Sequence, residues 1–342
     1  MKQPKKGILL VNLGTPDRPE KADVKRYLNQ FLMDGRVIDI PYFRRALLVQ
    51  GIIVPFRAAN STKLYKEIWD EQNGSPLLYY SIRQKELLQA QLGEEYHVEL
   101  AMRYQNPSIA SALENLRQMQ VESIRVIPLF PQYASATTGS VYQEVMDVMR
   151  TWHTFPALSF VNDFYEDVLM VEVFAEQGKK HGPENYDHVL FSYHGLPVRQ
   201  LYDNEPSGKH DCKAARCTLE INHQNRLCYV AQCYATSRAI AEKAGIPAEK
   251  YTVCFQSRLG KTPWIQPYTS DVLEEQAKKG SKKLLVFSPA FVADCLETVH
   301  EIGIEYDEEY KELGGEKVQL VESLNEHPKW IEALRKLALS EN

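Results

Sequence analysis

A row of acidic residues near the end of the sequence has a spacing that suits metal or proton chemistry. The row consists of Asp294, Glu297, Glu301 and Glu305. Spacings of three and four residues place these carboxylates on one face of a helix, with His300 beside them. A solvated helix face would show the same pattern, although like charges at this spacing repel by ~0.2–0.5 kcal/mol per pair. The row begins soon after an apolar run, Leu284–Phe287, and α/β sheets bind ligands where such strands end. This position favours a path for a divalent cation or for protons.

His194 is the second candidate for chemistry. It follows the apolar run Val189–Tyr193 and precedes Gly195 and Pro197. A lone histidine is most often structural, but this one lies at a strand end, where a ligand crevice is expected. An ordinary imidazole pKa of ~6.5 allows it to accept a proton or to bind a metal at neutral pH. Together with Glu297 it offers one nitrogen and one carboxylate oxygen, which suits a metal in transit rather than one held permanently.

The cysteines form a third pattern. Four of the six lie within a polar insertion at about residues 205–233, with the spacing C-x4-C-x10-C-x4-C. They are Cys212, Cys217, Cys228 and Cys233. Four thiolates suit Zn²⁺ or an iron–sulfur cluster. Zinc sites more often have C-x2–4-C spacing, whereas C-x4-C also occurs in plant-type [2Fe–2S] sites. Cys254 and Cys295 lie in or beside predicted strands and are expected to be buried small hydrophobic residues.

The elements that position these residues alternate between strands and helices, and the plan occurs twice. The stretches ILLVNLGTP and VLFSYHGLP share an apolar strand followed by Gly, one residue and Pro. The sequence therefore predicts an α/β protein with two similar doubly wound, Rossmann-like halves, parallel sheets and an interdomain cleft. We expect the halves at 1–162 and 163–326, with a C-terminal helix at 327–342 that packs back on the first half.

Ligands of such folds bind at the carboxyl ends of the strands. The residues that the predicted strand ends and loops would bring there are Leu13, Arg103, Tyr104, Tyr133, His194, Gln256, Ser257, Trp264, Phe291 and Glu297. The small-polar run Ala134–Ser140 precedes a predicted helix. Its hydroxyl groups could cap the N-terminus of that helix, or the helix start could bind a carboxylate or phosphate. Both interpretations stay open.

Composition excludes several classes of protein. The 342 residues carry a net charge of −5 with no basic block, so nucleic acid is not an expected partner. The start of the chain resembles a first strand rather than a signal peptide, which predicts a reducing, cytoplasmic compartment without structural disulfides. No apolar run reaches the ~18 residues of a membrane span. The run Ala46–Phe56 fits either core or an exposed lip that touches a membrane surface or an apolar ligand.

Seven motifs in order resemble the ferrochelatase family over nearly the whole chain. They are LLVNLGTP, GSP at Gly74–Pro76, RYQNPSI, FPQYASATTGS, SYHGLP, FQSRLGKTPWIQP and SPAFVADCLETVHEIGIEY. The resemblance implies a two-domain chelatase that inserts Fe²⁺, its substrate metal, into protoporphyrin IX or coproporphyrin and releases two protons to form heme. It also implies that His194 and Glu297 form the metal site and that Glu301 and Glu305 continue the path. The porphyrin contacts would come from Leu13, Arg103, Tyr104, Tyr133, Ser257, Trp264 and Phe291.

The chain departs from the family pattern in its insertion. The usual pattern runs quickly from HGLP to a Tyr-x-x-Gln-Cys-like segment, here Tyr229–Cys233, whereas this chain adds residues with three further cysteines. The insertion is similar to that of ferrochelatases with an internal [2Fe–2S] cluster, and a structural Zn²⁺ is the alternative. The lip near Ile52 would guide an apolar porphyrin and contact the membrane periphery.

The sequence also allows two other functions. It allows either a monomer or a homodimer. A cobalt chelatase acting on sirohydrochlorin would need more basic residues around its carboxylate-rich substrate, and the apolar lip and aromatic candidates oppose it. A non-catalytic heme or metal carrier would be expected to hold its metal with three or more strong ligands.

Overall fold

The computed structural model describes residues 5–202, 220–223, 225–258, 260 and 262–340. Contacts within the chain divide it into two compact units. The first unit consists of Met1–Phe130, Ser135–Asp163 and Asn325–Asn342. The second unit consists of Pro131–Ala134 and Phe164–Leu324. Cys212 and Cys217 lie outside the described residues.

The first unit contains a four-stranded parallel sheet with the order β2-β1-β3-β4. Its strands are β1 (Lys6–Gly14), β2 (Tyr96–Tyr104), β3 (Ser123–Pro128) and β4 (Ala157–Phe160). Its α-helices are α1 (Lys21–Leu32), α2 (Tyr42–Leu48), α3 (Val54–Ile68), α4 (Pro76–Gln91), α5 (Ile109–Gln118), α6 (Ser140–Met149) and α12 (Pro328–Leu339). Two short π-helices, π1 (Val49–Ile53) and π2 (Ser135–Gly139), run directly into α3 and α6.

The second unit repeats this topology with the order β6-β5-β7-β8, again parallel throughout. Its strands are β5 (His188–His194), β6 (Tyr251–Gln256), β7 (Lys283–Phe287) and β8 (Lys317–Leu320). Its α-helices are α7 (Val168–Lys180), α8 (Val198–Tyr202), α9 (Tyr229–Ala244), α10 (Thr269–Lys278) and α11 (Asp307–Glu312). A longer π-helix, π3 (Leu296–Tyr306), leads into α11. The identical strand order confirms the predicted α/β fold with two similar parallel-sheet halves.

Each sheet is covered by helices, which is why its central strands are apolar on both faces. In the first unit Leu9 and Val11 of β1 are fully buried against α5 and α6. In the second unit Leu190 of β5 and Cys254 of β6 belong to one buried cluster. The predicted burial of Cys254 and Cys295 is confirmed.

Strand β2 continues through Arg103 to Tyr104. The reason is that β1 also continues to Gly14, which pairs with Tyr104. Gly14 has a φ of 118°, and a Cβ there would lie 2.0 Å from the Tyr104 carbonyl oxygen. Only glycine allows the two strand ends to approach this closely.

Replacement of Gly178 tests the packing of the second sheet. Gly178 is buried near the end of α7, and a Cβ there would lie 2.2 Å from Cζ of Phe287. That ring is fully buried and stacked on Phe191. We expect Gly178→Ala to lower the free energy of unfolding by ~1–3 kcal/mol, because overpacking outweighs the better helix propensity of alanine. Thermal denaturation measures the change. Gly93→Ala, with nothing within 4 Å of its new Cβ, is the control and should be near neutral.

Candidate functional site

His194 is the last residue of β5 and pairs with Gln256, the last residue of β6. Its side chain is half-buried, and its Nδ1 lies 2.7 Å from the carbonyl oxygen of Gly195. Because a carbonyl oxygen can only accept a hydrogen bond, Nδ1 must carry the proton in this contact. The lone pair of the neutral ring is therefore on Nε2. This nitrogen can accept a proton or bind a metal ion.

Gln256 connects the strand end of His194 to the acidic helix. The Ser192 hydroxyl donates to Gln256 Oε1 over 2.7 Å, which fixes the orientation of the amide group. The Nε2 group of Gln256 then donates to the backbone carbonyl of Glu297 at 3.1 Å and to Oε2 of Glu301 at 3.0 Å. The buried amide thus holds π3 by both its backbone and one of its carboxylates.

The carboxylate of Glu301 accepts two further hydrogen bonds. The Ser257 hydroxyl donates to Oε2 over 2.6 Å, and the Tyr306 hydroxyl donates to Oε1 over 3.1 Å. The pKa of Tyr306 is raised, first by burial and then by the Glu301 charge, so this hydroxyl stays protonated and a donor. Three neutral donors therefore hold Glu301 in one orientation.

The acidic row itself differs from the prediction at its first member. Asp294 lies before π3, is 9% exposed, and accepts hydrogen bonds from the Thr298 hydroxyl and the Ser323 amide. The prediction that Asp294 shares the helix face is wrong, because the chain from Ser288 to Cys295 is a turn and the helix begins at Leu296. Asp294 is a buried structural acceptor.

The remaining row runs from a half-buried to an exposed position. Glu297 and Glu301 are half-buried, whereas Glu305 is exposed. The pKa of Glu305 is raised by partial burial of its carboxyl group and next by the Glu301 charge. At the inner end, burial raises the pKa of the Cys295 thiol, and the nearby Glu297 carboxylate adds to the rise. The three carboxylates thus form a graded series along π3.

The aromatic residues predicted from the sequence are half-buried in the same unit. Trp264 packs against Gly195, where a Cβ would lie 3.3 Å from the indole and 2.9 Å from the Gln256 carbonyl oxygen. The backbone amide of Tyr133 donates to the Gln232 side chain over 2.6 Å. Phe291 lies in the turn between β7 and π3. Trp264 is therefore placed directly beside the His194 loop.

The candidates of the first unit surround an acidic residue that the sequence did not single out. Arg103 pairs with Asp34 at 2.8 Å and with Glu144 at 3.3 Å. The Tyr104 hydroxyl also donates to Asp34, and its ring is 0% exposed. Leu13 is half-buried. That these residues contact the porphyrin stays a prediction. The complete burial of Tyr104 is typical of a residue that supports the site from behind rather than one that touches a ligand.

Asp34 is held ionised in this cluster. Burial of its carboxyl group favours a higher pKa, but hydrogen bonds from Ser140 and the Arg36 amide, with the Arg103 charge, outweigh burial and lower it. The Ser135 hydroxyl accepts from Arg36 over 2.8 Å. The capping interpretation of the run Ala134–Ser140 is wrong, since Gly139 precedes α6 without a side-chain cap.

Two of the four patterned cysteines lie within the described residues. Cys228 immediately precedes α9, and Cys233 is fully buried in its first turns. The pKa of the Cys233 thiol is raised by burial, and the neighbouring Cys228 contributes to this rise. In the part of the chain that the structure describes, no three His, Cys, Asp or Glu side chains form a group that could hold a metal ion.

The apolar run Ala46–Phe56 contributes Val49 and Val54 to the core and presents its other face as an exposed lip. Its outward side chains are Leu47, Ile52 and Phe56, with exposures of 75%, 53% and 80%. Phe43 on α2 extends the surface at 85% exposure. Within the described ranges, no helix combines the length and the apolar character that a membrane span requires.

The fold is similar to that of two solved chelatase structures. SirB from Bacillus subtilis with Fe³⁺ superposes with a TM-score of 0.53 at 15% identity, covering 98% of this chain and 96% of that chain. The sirohydrochlorin chelatase SirB from Bacillus subtilis subspecies spizizenii, in complex with cobalt, gives 0.52 at 14% identity, covering 98% and 95%. At these identities the shared property is the fold.

The sequence comparisons define the family within this class. The family model described as ferrochelatase matches residues 5–342. A ferrochelatase of Legionella pneumophila (strain Lens) is 44% identical over 333 residues, covering 97% of this chain and 98% of the relative. One of Coxiella burnetii (strain Dugway 5J108-111) is 44% identical over 341 residues, covering 97% and 92%. The chain belongs to the ferrochelatase family.

The raised pKa of Glu305 leads to a stability prediction. A carboxyl group with a folded-state pKa above its ordinary value of 4.5 opposes folding when it is ionised. Glu305→Gln should therefore raise the melting temperature by about 1 °C at neutral pH, because it removes a partly buried charge that also lies near the Glu301 charge. The difference should shrink as the pH falls through 4.5 and vanish well below it, where the wild-type carboxyl is protonated in both states. An equal difference at acid and neutral pH would contradict this interpretation.

Proposed function

We propose that this protein inserts Fe²⁺ into a porphyrin and releases two protons, forming heme. It is then a porphyrin metal chelatase, a lyase. The observation that carries the proposal is the geometry at the end of β5 in a chain of the ferrochelatase family. There, Nδ1 of His194 is engaged by the Gly195 carbonyl, which leaves Nε2 as the nitrogen that can accept a proton or bind a metal. Gln256 ties the same strand edge to Glu297 and Glu301.

The chemistry requires a base and a transient metal site. The two pyrrole protons must leave the porphyrin as the metal enters, and a neutral imidazole can accept a proton at neutral pH. We assign this role to Nε2 of His194, with Glu297 as its partner in binding incoming Fe²⁺. Two protein ligands hold a metal weakly enough to release it to the four porphyrin nitrogens.

The carboxylate series along π3 supplies a path to this site. Glu305 is exposed, and Glu301 is half-buried and oriented by three donors. A row that passes from solvent toward Glu297 suits movement of Fe²⁺ inward or of protons outward. The raised pKa of Glu305 makes it a better proton carrier near neutral pH than an ordinary glutamate.

The porphyrin needs a rigid surface beside this metal site. A flat macrocycle keeps its nitrogen lone pairs in the ring plane, whereas a bent ring exposes them. Contacts that fit the bent ring better than the flat one lower the barrier. We propose Tyr133, Trp264, Phe291 and Ser257 as porphyrin contacts in the second unit, and Trp264 is the member that packs on the His194 loop.

One assay distinguishes this function from the alternatives. The protein is mixed anaerobically with Fe²⁺ or Zn²⁺ and with protoporphyrin IX or coproporphyrin, and the porphyrin spectrum is followed over many turnovers. We expect many equivalents of metalloporphyrin per protein. One equivalent would indicate a heme or metal carrier. Turnover only with Co²⁺ and sirohydrochlorin would indicate the related cobalt chelatase. The ratio of the two porphyrin rates identifies the preferred substrate.

Substitution of the metal-site pair tests the assigned roles. His194→Ala and Glu297→Gln should each lower kcat by at least ~100-fold, since a positioned general base contributes ~10²–10⁴-fold. The thermal stability should change little, because both side chains are only half-buried. His188→Ala, at the opposite end of the same strand, is the matched control and should keep most of the activity. Near-wild-type turnover by His194→Ala would remove it from the mechanism.

We also propose that Cys212, Cys217, Cys228 and Cys233 bind a [2Fe–2S] cluster, with structural Zn²⁺ as the alternative. The spacing supports this, and so does the electrostatic effect of Cys228 on Cys233, because two thiols of one metal centre must be neighbours. A thiol with a raised pKa becomes a ligand when a metal displaces its proton. When bound, four metal–thiolate bonds would link the four cysteines of the polar insertion.

Anaerobically purified protein should therefore be coloured and contain iron and acid-labile sulfide. Cys217→Ser or Cys228→Ser should bleach it, whereas Cys254→Ser should keep the colour, because Cys254 is buried in the core of the second unit. Absorption spectra with iron, zinc and sulfide analysis measure this. Colourless protein with one zinc per chain would identify a structural zinc site, and protein without either metal would overturn the ligand assignment.

We further propose that this protein is cytoplasmic and that its lip contacts the membrane surface. Exposed aromatic side chains on α2 and α3 lie beside exposed Arg44 and Arg57. Apolar side chains can enter the interfacial region, and arginines attract anionic headgroups. An apolar porphyrin dissolved in the membrane would reach the enzyme at this surface.

The lip is tested by vesicle binding. The double variant Phe43→Ser and Phe56→Ser should bind anionic lipid vesicles at least about tenfold more weakly, because it removes two apolar anchors. Sedimentation with vesicles measures the bound fraction. Phe155→Ser, which removes a phenylalanine of 60% exposure elsewhere in the first unit, is the matched control. Equal binding of both variants would exclude the lip as the contact.

A further inference from the structure

The hydroxyl of Tyr229 donates a hydrogen bond of 2.8 Å to the backbone carbonyl of His194. Tyr229 is the first residue of α9, and its side chain is only 6% exposed. The two residues are 35 positions apart, so nothing in the local sequence links them. Tyr229 touches no reacting group in the mechanism above, yet it contacts the backbone of the proposed base.

The His194 carbonyl needs this donor because of the shape of the sheet. The ladder between β5 and β7 ends at Phe191 and Phe287, three residues before His194. Beyond that point two β5 carbonyls accept side-chain hydroxyls instead. Ser288 donates to the Ser192 carbonyl over 3.0 Å, and Tyr229 donates to that of His194. Without them, these polar groups would lose their hydrogen bonds at the strand end.

The peptide group between His194 and Gly195 is thereby held at both ends. Its carbonyl oxygen accepts from Tyr229, and its N–H donates to the Gln256 carbonyl over 2.8 Å. A peptide group is planar, so two bonds on opposite sides fix its rotation. The next carbonyl, that of Gly195, holds Nδ1 of His194. The direction of the imidazole therefore depends on the orientation of this peptide plane.

Tyr229 is itself firmly placed. Three residues further along α9, the Gln232 side chain accepts from the Tyr133 amide over 2.6 Å and donates to the Arg226 carbonyl over 2.6 Å. Gln232 is 0% exposed. The first turn of α9 is thus a fixed support for the end of β5.

We propose that Tyr229 is a positioning residue for metal insertion, which holds the His194–Gly195 peptide plane so that Nε2 of His194 faces the reacting centre. The proposal rests on the function assigned to His194. It predicts that loss of the hydroxyl misdirects the imidazole while the porphyrin surface stays intact. The effect should therefore fall on turnover rather than on porphyrin binding.

The test compares Tyr229→Phe with Tyr193→Phe. Tyr193 precedes His194 on the same strand, is equally buried, and its hydroxyl pairs with Ser237 at 2.9 Å rather than with the His194 backbone. We expect Tyr229→Phe to lower kcat by ~10–100-fold, the scale of a small misplacement, with the porphyrin KM unchanged. Tyr193→Phe should keep wild-type kcat. Similar losses in both variants, or wild-type kcat in Tyr229→Phe, would overturn the proposal.

A second readout does not depend on activity. In protein with isotope-labelled histidine rings, the His194 resonances are identified by their absence from His194→Ala. They should shift or broaden in Tyr229→Phe and stay in place in Tyr193→Phe. Unmoved resonances in Tyr229→Phe would overturn the positioning role. Failure of the wild-type protein to insert metal into any porphyrin would instead overturn the proposed function. The His194 resonances would still test whether Tyr229 positions the imidazole.

Discussion

The candidate site depends on one constraint of the second sheet, which is that β5 extends beyond its neighbour β7. Parallel strands bring their carboxyl ends to one end of the sheet. Where one strand ends early, the strand beside it loses its backbone hydrogen-bond partners on that side. After Phe287 the carbonyls of Ser192 and His194 accept side-chain hydroxyls instead of strand partners. His194 therefore lies where the backbone is still fixed but the side chain is no longer enclosed by the sheet.

The same topology carries different chemistry in the two units. The edge of the first sheet holds a satisfied ionic cluster in which Asp34 accepts from Arg103, Tyr104 and Ser140. The equivalent edge of the second sheet holds His194 and a carboxylate row in which Glu301 is oriented by three neutral donors. A duplicated fold thus provides one edge with a paired ionic cluster and one edge with a carboxylate held by neutral groups. We propose only the second edge for passage of a cation, in keeping with the rule that function belongs to the site and not to the fold.

The acidic row also depends on the helix that carries it. π-helices, with i→i+5 hydrogen bonds, are rare and are frequently found at functional sites. In π3 the helix backbone and Glu301 are both bound by Gln256, and Tyr306 closes the far side of the same carboxylate. These contacts stabilise the π-helix and at the same time fix the orientation of the Glu301 carboxylate. The hydrogen bonds that support the helix therefore also orient the Glu301 carboxylate, which we propose as part of the ligand path.

The sequence by itself determined the duplicated α/β fold, the strand-end position of His194 and the spacing of Glu297, Glu301 and Glu305. These features are local, since periodicity and apolar runs encode which face of a strand or helix a residue occupies. Only the tertiary structure decided the separation of Asp294 from the row, the exposure of the lip and the contacts of Gln256, Asp34 and Tyr229. Apart from the Arg36 amide on Asp34, those contacts join residues between 35 and 106 positions apart. Strand register brings these residues together, and in the second unit the point where β7 leaves the sheet also matters. Neither is written in the spacing of any single segment.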